Sequence, residues 1–508
     1  MFSYIVRRLI AAVLIVFAAS YLIYILAANA GDPLDELRQS TAPNKDVLIA
    51  AKTAQLNLDV PPYLRYFIWL GGVLKGFTGN IDLGYNVRGQ EVAAQVGIGI
   101  GQTVQLVTVA TVLAILIGIS IGMATALRQY SGFDYTVTFI AFVFFSLPVF
   151  WVAQLLKLYV AIGFNNFLAD PVVAPWIIIV TSLLLGFAWA SIVGGAAKKY
   201  FLNFGFATLV TAAGLFFILY TGWLDTPSLG IIGILGIGVA AAFALVWVTA
   251  GFSDRKVIYT ALVTAVAGAA LWYPFNYLFF YVPSYLSWLI VFVVMIGIAI
   301  GAAFIFGGDE RPSSIRAGVL TAIVSSMLII IDRVMGSWPD YVQLTNGRPI
   351  ATIGSSTPNL QGSVWIQTID SFTHLLLPTA ALMLLSLAAW SRYSRASLLE
   401  VMNQDYVRTA RAKGLSERTV IMRHAFRNAM IPITTLIAFE IGGIIGGAAI
   451  TETIFGWNGV GRMFIQAVEA VDLNTIMAVF LITSIVTIIF NLIADLTYSA
   501  LDPRIRVN

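Results

Sequence analysis

The sequence predicts an all-α polytopic membrane protein with about 12 spans and both termini on the cytoplasmic side. Apolar residues make up 59% of the 508 residues and charged residues 11%, whereas a soluble domain carries about 25% charged residues. Apolar runs approach the roughly 20 residues that a membrane-spanning helix needs, and they recur along the whole chain. The net charge of +4 is attributed to the loops between the spans, so nucleic acid is not expected as a partner.

The first part of the chain, residues 1–165, is predicted to hold three spans. The first, 9–28, follows Arg7 and Arg8 and is longer than the apolar core of about 7–15 residues in a cleaved signal peptide. It is therefore interpreted as a retained helix. The segment 31–99 is long for a loop, so we expect small helices within it. The next two spans are predicted at 101–127 and 135–162, the latter interrupted at Pro148.

Six further apolar segments follow, and three more close the chain. The six lie at 175–196, 201–221, 228–251, 257–280, 285–307 and 316–334. After a polar segment at 336–373, the last spans are predicted at 375–392, 431–449 and 475–496. Every short loop that this arrangement puts in the cytoplasm carries Lys or Arg, as the positive-inside rule requires.

A polar segment at 398–428 interrupts this apolar pattern. Asn403–Lys413 is predicted as a short helix, with Gly414 as its left-handed C-terminal cap. Ser416 is predicted to start a second, basic helix that ends at Pro432. The cations that follow Asp405 favour a cytoplasmic position for the segment.

Several of these motifs resemble one family. DYVRTARAKGLS (405–416), followed by RHAFRNAMIP (423–432), resembles the cytoplasmic coupling loop of ABC-transporter permeases. The form is that of the B-type subunit in the dipeptide/oligopeptide (peptide/nickel) family. GGAAITETIFGWNGVGRMF (446–464) and DLTYSALDPRIR (495–506) extend the resemblance. The chain departs from the family in having Asn458 in place of the usual proline of Trp-Pro-Gly.

The resemblance implies a six-span importer permease core, divided between 1–165 and 337–508, with the block 166–336 as an insertion of about six spans. It implies a prokaryotic inner-membrane protein that moves peptides delivered by an extracytoplasmic solute-binding protein. The expected partners are a second, C-type permease subunit, two ATPase subunits, a peptide and membrane lipid. This chain is expected to be no enzyme and to bind no cofactor, because ATP and Mg would lie in the ATPase subunits.

The resemblance also implies which residues contact the ATPase subunits. They are Asp405, Tyr406, Arg408, Thr409, Ala410, Arg411, Lys413 and Gly414. Small residues at 410, 412 and 414 would form a low-profile surface, and the cations would make charge-assisted contacts. Composition alone equally allows that the alanines only favour a helix and that the cations only fix orientation.

Three residues of the 431–449 segment are candidates for the translocation path or a helix seam: Glu440, Gly443 and Gly447. A carboxylate within a span is costly and suggests a function. Glu440 either lines a polar path or is paired across helices. The glycine spacing is typical of tight helix crossings, either within this subunit or against a partner permease.

Other chemistry has little support in the sequence. GxxxxGK[ST] and HExxH do not occur, there is no cysteine, and the two histidines stand far apart. The one GxSxG, Gly118–Gly122, lies within an apolar span, where chance is the simpler explanation. The alternative function, a twelve-span ion-coupled secondary transporter, would predict an internal repeat and a buried carboxylate or histidine relay. Neither is evident.

Overall fold

A computed structural model describes residues 2–252, 254–434, 436–437 and 448–501, and these residues form helices joined by loops. Within this part of the chain, Tyr85 and Glu91 form an isolated antiparallel β-bridge. Eleven helices of the described residues are long and apolar enough to cross a membrane. They match eleven of the twelve predicted spans, and the predicted span at 431–449 lies largely outside the described residues.

The described residues in the first part of the chain form eight helices: α1 (Phe2–Ala28), α2 (Asp35–Gln39), α3 (Lys45–Gln55), α4 (Pro62–Leu74), α5 (Val92–Leu127), α6 (Gly132–Ser146), α7 (Val149–Leu155) and α8 (Gly163–Ala169). The three stretches long and apolar enough to cross a membrane are α1, α5 and the continuous helix formed by α7 and α8. α2 to α4 confirm that the 31–99 segment has helices of its own. The predicted single span at 135–162 is wrong in its bounds. The break at Pro148 ends α6, and a helix runs from Val149 through a π-helical stretch to Ala169.

The middle of the chain contains seven helices, six of them apolar and long. They are α9 (Pro175–Val193), α10 (Ala197–Tyr220), α11 (Gly230–Thr249), α12 (Arg255–Tyr281), α13 (Tyr285–Phe306), α14 (Arg311–Met335) and the short α15 (Trp338–Leu344). α9 packs on α10, and α11 to α14 pack on one another. Small residues such as Ala261, Ala265, Ala299 and Ala317 line the contacts of this four-helix group, which allows close approach.

The last helices are α16 (Val364–Met402), α17 (Asp405–Ala412), α18 (beginning at Glu417), α19 (Ala449–Ile454), α20 (Val460–Glu469) and α21 (Leu473–Leu501). α18 is π-helical over Val420–Phe426 and helical again over 427–434. The predicted end at Pro432 is therefore wrong. Proline removes one N–H but its φ suits a helix, and the buried Ala429 and Ile433 hold this stretch in place.

The chain divides into two compact units. The first comprises Met1–Val160, Thr352–Ser355 and Leu375–Asn508, and the second comprises Ala161–Ala351 and Ser356–His374. The predicted division into 1–165, 166–336 and 337–508 remains a prediction about which segments belong to the family core.

Within the second unit, the two ends of the middle segment are joined by reciprocal hydrogen bonds. Asn165 Nδ2 donates to Ile350 O (2.9 Å), and Ile350 N donates to Asn165 Oδ1 (3.0 Å). Both residues are buried. The chain therefore enters this unit and first leaves it at adjacent points.

Asp332, an acid within the apolar helix α14, is hydrogen-bonded to groups of the same unit. Its Oδ1 accepts hydrogen bonds from Leu229 N (2.7 Å) and Gly230 N (3.0 Å) at the start of α11, and its Oδ2 accepts one from Trp272 Nε1 (2.6 Å). Unpaired N–H groups and the positive end of the helix dipole favour a carboxylate at this place. This intramembrane acid therefore holds helices together.

Candidate functional site

The segment predicted to form a coupling loop folds around a small apolar core. Val407 and Ala410 point from α17 onto Val420 of α18, and all three are buried. Gly414 has φ +75°, a left-handed conformation that favours glycine, and it lets the chain reverse between the two helices. Ser416 caps α18 by accepting a hydrogen bond from Thr419 N (3.4 Å). The predicted helix, its glycine cap and the start of the second helix are thus confirmed.

The outer face of α17 and the following turn is polar and exposed. Its members are Asp405, Tyr406, Arg408, Thr409, Arg411, Lys413 and Gly414. Arg411 binds Glu417 through Nη2 (2.8 Å) and Nε (3.2 Å), a bidentate pair that spans the turn. Hydrogen bonding from Arg411 lowers the pKa of Glu417. Arg408 Nη1 lies 3.8 Å from Asp405 Oδ1, and both side chains are exposed, so this ion pair contributes little to the stability of the fold.

Ala410 does not fit the surface predicted for it. Only 5% of its surface is exposed, because it fills the space between α17 and Val420. The low profile at this position serves packing within the loop. The exposed residues on the opposite face of α17 are the ones that a second protein could reach.

The loop is fixed to the ends of long helices in the same unit. Leu398 of α16 and Ala126 of α5 pack with Ala425 and Ala429 of the α18 helix. Ser397 Oγ donates to Ala429 O at 2.7 Å. Asn428 Nδ2 donates to Tyr406 OH at 3.1 Å, which joins the start of α17 to the same helix. A displacement of α17 would therefore be carried to α5 and α16.

The other end of α5 meets a buried polar cluster around Glu452. Thr103 of α5, which contacts this cluster, precedes Ala126 by 23 residues, or about 35 Å at 1.5 Å per residue, so the cluster is remote from the predicted coupling loop. Glu452 is fully buried. Its carboxylate accepts hydrogen bonds from Thr103 Oγ1 (2.6 Å) and Arg462 N (2.9 Å). Thr103 Oγ1 in turn accepts one from Val460 N (2.8 Å).

The residues around Glu452 are shaped to fit it. A Cβ on Gly459 would overlap the Glu452 carboxylate, and a Cβ on Gly461 would lie 2.6 Å from Ala449 Cα. Trp457 Nε1 donates to Gln102 O at 3.0 Å. Burial raises the pKa of Glu452, and hydrogen bonds from Thr103 and from the amides of 462 and 461 lower it. The cluster fastens the segment 452–462 onto α5.

Next to this cluster, a polar cavity of about 120 Å³ opens between the loop before α5 and α20. Its lining includes Asn86, Arg88, Gln90, Gln95, Gln466 and Asp472. Buried Asp472 accepts hydrogen bonds from Thr475 Oγ1 (2.8 Å) and Val87 N (3.4 Å), which hold the loop against the start of α21. Within the same unit, Lys157 Nζ donates to Ile454 O at 3.3 Å, so this intramembrane cation has a partner.

The candidate path and seam residues Glu440, Gly443 and Gly447 lie outside the described residues. Within 2–252, 254–434, 436–437 and 448–501, no group of three or more His, Asp or Glu side chains is placed to hold a metal ion. Glu452 is not among the predicted site residues, because it falls between predicted spans, in the motif 446–464 that the sequence marks only by its resemblance to the family. The signal was the local sequence: an acid is followed by closely spaced glycines, of which Gly459 leaves room for the buried carboxylate and Gly461 allows close approach to Ala449.

Comparison with known proteins identifies the family. The model of the binding-protein-dependent transport system inner membrane component family matches residues 257–507. The oligopeptide transport system permease protein OppB of Mycobacterium tuberculosis (strain ATCC 25618 / H37Rv) is 34% identical over 228 residues, which is 43% of this chain and 67% of OppB. The glutathione transport system permease protein GsiC of Escherichia coli (strain K12) is 37% identical over 182 residues, 33% of this chain and 58% of GsiC.

The chain belongs to the family of binding-protein-dependent transport system inner membrane components. It is a multi-pass protein of the inner membrane, and the sequence-based assignment to ABC-importer permeases of the OppB type is confirmed. Membership favours this assignment over an ion-coupled secondary transporter. The match to the family begins at residue 257, inside the predicted insertion 166–336, so the bounds of the insertion stay a prediction.

Proposed function

We propose that this protein is the permease subunit of an ATP-driven importer that receives peptides from an extracytoplasmic solute-binding protein. Two ATPase subunits would bind ATP and Mg, and a second, C-type permease would complete the path. The observation that carries the proposal is the coupling loop, in which a short helix on an internal apolar core presents a polar face to the outside. Such a helix can follow a moving partner without losing its own structure.

A peptide substrate is supported by the relatives. OppB is named for oligopeptides and GsiC for glutathione, itself a tripeptide. The polar cavity beside Glu452 adds amide and guanidinium groups, which pair with peptide carbonyls and carboxylates. In this proposal both termini and the coupling loop face the cytoplasm, and Glu440, Gly443 and Gly447 are the candidates for the path or the seam.

Charge reversal on the outer face of α17 is expected to separate this permease from its ATPase subunits. Arg408→Glu replaces an exposed cation whose own ion pair is weak, so the fold of the subunit should be retained. Loss of charge-assisted contacts and the new repulsion should lower the ATPase recovered with the permease about tenfold. Co-purification from membranes, together with uptake of labelled glutathione and trialanine, measures the effect.

Arg348→Glu is the matched control, because it makes the same charge change at an exposed position outside the loop. It should retain both the ATPase subunits and uptake. Equal ATPase recovery with Arg408→Glu and the wild-type protein would contradict the coupling assignment. Absence of any ATPase subunit from the wild-type preparation would contradict the function itself.

Excision of the predicted insertion is expected to leave a permease that still transports. Asn165 and Ile350 are directly hydrogen-bonded, so the chain on either side of the middle segment is already close. The inserted helices also hold few ionisable residues away from their ends, and a path for charged peptide termini needs such groups. Joining residues 170 and 336 should therefore leave uptake within about tenfold of the wild-type rate.

A point variant keeps this experiment informative if the shortened chain is unstable. Ser325→Asn changes a buried polar position inside the four-helix group and should leave peptide selectivity unchanged. Altered selectivity with normal expression would show that the insertion lines the path.

A further inference from the structure

The end of α5 nearest the predicted coupling loop packs closely against α16, and at two glycines α5 places no side chain of its own between the helices. A Cβ on Gly118 would lie 2.5 Å from Trp390 Cβ, and a Cβ on Gly122 would overlap Ser394 Oγ and the carbonyl oxygen of Ser391. Ser394 Oγ lies 3.3 Å from Gly118 O, within hydrogen-bond reach. The two glycines of the GxSxG sequence are therefore close-approach residues between two long helices.

The turn after α5 is joined to α16 by a partly buried ion pair. Asp134 of α6 is 3% exposed, and its Oδ2 accepts hydrogen bonds from Arg395 Nη2 (2.9 Å) and Tyr130 N (3.1 Å). Ser131 Oγ accepts a hydrogen bond from Asp134 N (3.2 Å), which fixes the backbone of the acid. Removing one partner of such a pair leaves the other charge buried and unpaired, so geometry here is strongly specified.

A second contact lies one helical turn before Arg395. The guanidinium of Arg392 stacks on the ring of Phe145, 4.0 Å from its centroid, and Phe142 is 5.7 Å away. α6 is thus held to α16 at two places along its length. Three residues beyond Arg395, Leu398 enters the apolar cluster with Ala126, Ala425 and Ala429 that anchors the coupling loop.

We propose that the Asp134–Arg395 ion pair is a positioning element that makes the α5–α6 turn and the coupling loop move as one body. When a partner displaces α17, both α5 and α6 then move with it, and α16 moves along its own axis. Without the pair, the coupling loop can move while α6 stays behind. The inference rests on the proposed coupling function, but the contacts that carry it are internal to this chain.

The absence of cysteine allows a direct test in the assembled transporter. Spin labels are placed at Gln129, in the α5–α6 turn, and at Asn403, just before α17; both positions are exposed and lie outside the predicted contact with the ATPase subunits. The proposal expects one narrow distance distribution that stays the same when ATP is trapped in the ATPase subunits. Asp134→Asn should broaden it or make it differ between nucleotide states. A wild-type distance that shifts with ATP, or a variant distribution as narrow as the wild type, overturns the proposal.

Transport per ATP hydrolysed provides the second readout, which loss of folded protein alone does not change. Asp134→Asn and Arg395→Gln should each lower it about tenfold, and the double variant should be no worse than either single one. Arg395→Lys, which keeps the charge, should recover part of the loss. Arg38→Gln breaks the exposed pair between Arg38 Nε in α2 and Asp32 Oδ2 just before it (2.7 Å), and it should leave the ratio unchanged.

Different experimental results would contradict the positioning role of the ion pair and the proposed function of the protein. A wild-type complex whose ATP hydrolysis does not respond to the binding protein and peptide would contradict the function. A wild-type complex that couples normally, with Asp134→Asn and Arg395→Gln variants that couple equally well, would overturn the positioning role alone.

Discussion

Gly122→Val is expected to prevent α5 and α16 from packing, and so to abolish assembly of a transport-competent permease. Any side chain at this position would overlap Ser394 Oγ and the main-chain oxygen of Ser391. The serine hydroxyl could rotate, but the backbone oxygen belongs to a helix and cannot move alone. The helices would have to separate, and overpacking a core in this way costs about 1–3 kcal/mol, or more where backbone atoms clash.

The same helix supplies the control. Gly101 also lies in α5, but a Cβ there would meet nothing within 4 Å. Gly101→Val therefore tests the effect of a β-branched residue on the helix without the clash. Thermal unfolding of the purified proteins in detergent, with uptake measured in cells, should separate the two variants clearly. Equal melting temperatures would show that α5 and α16 are not in close contact.

This glycine pair illustrates what the sequence could and could not predict. The apolar length of the run predicts the span itself, and GxSxG lies within the helix α5, whereas a nucleophile elbow needs a strand-to-helix turn. The packing role depends on Trp390 and Ser394, which are more than 260 positions away in the sequence. The sequence of one protein does not indicate which residues of distant helices come into contact.

The predicted coupling loop also has some features that the sequence predicts and others that it does not. Glycine at a left-handed position and serine at a helix start are local signals, and both were found where predicted. Whether Ala410 points outward or inward depends on where Val420 returns, which local signals do not determine. The orientation of α17, and hence the list of residues that a partner can reach, could only come from the folded loop.

The buried acids Asp134 and Glu452 are a third example of features that the sequence alone does not predict. Glu440 stands out in the sequence because it interrupts an apolar run, whereas Asp134 and Glu452 lie near helix ends or between spans, where acids are common. Their importance comes from burial and from their partners Arg395 and Thr103. Such partners are distant in sequence, so composition and spacing give no indication of them.

Glu452→Ala should detach the segment 452–462 from α5 and abolish transport. The carboxylate accepts hydrogen bonds from Thr103 Oγ1 and from the backbone amide of Arg462 in a site without solvent exposure. Alanine would leave these donors unpaired and a cavity where the side chain had been. Each buried unpaired group costs about 1–3 kcal/mol, so the total loss of stability should be about 3 kcal/mol or more.

Glu452→Gln tests the hydrogen-bond pattern separately from the cavity. Val460 N donates to Thr103 Oγ1, so the Thr103 hydroxyl is free to donate its own proton to Glu452. Glutamine has one acceptor oxygen and one donor nitrogen at these two places, so either Thr103 or the amide of Arg462 would face an N–H group. We therefore expect Glu452→Gln to lose stability too, though less than Glu452→Ala.

Glu469→Ala is the matched control, because it removes an exposed carboxylate at the end of the neighbouring α20. It should leave both the melting temperature and uptake near the wild-type values. Thr103→Val should lower the melting temperature as the alanine variant does, since it removes the hydroxyl that bridges Glu452 and Val460. If the Glu452→Ala protein has the same melting temperature as the Glu469→Ala control, the prediction is wrong. Solvent or other groups would then satisfy these donors, and apolar contacts such as that of buried Val460 would hold the segment 452–462 to α5.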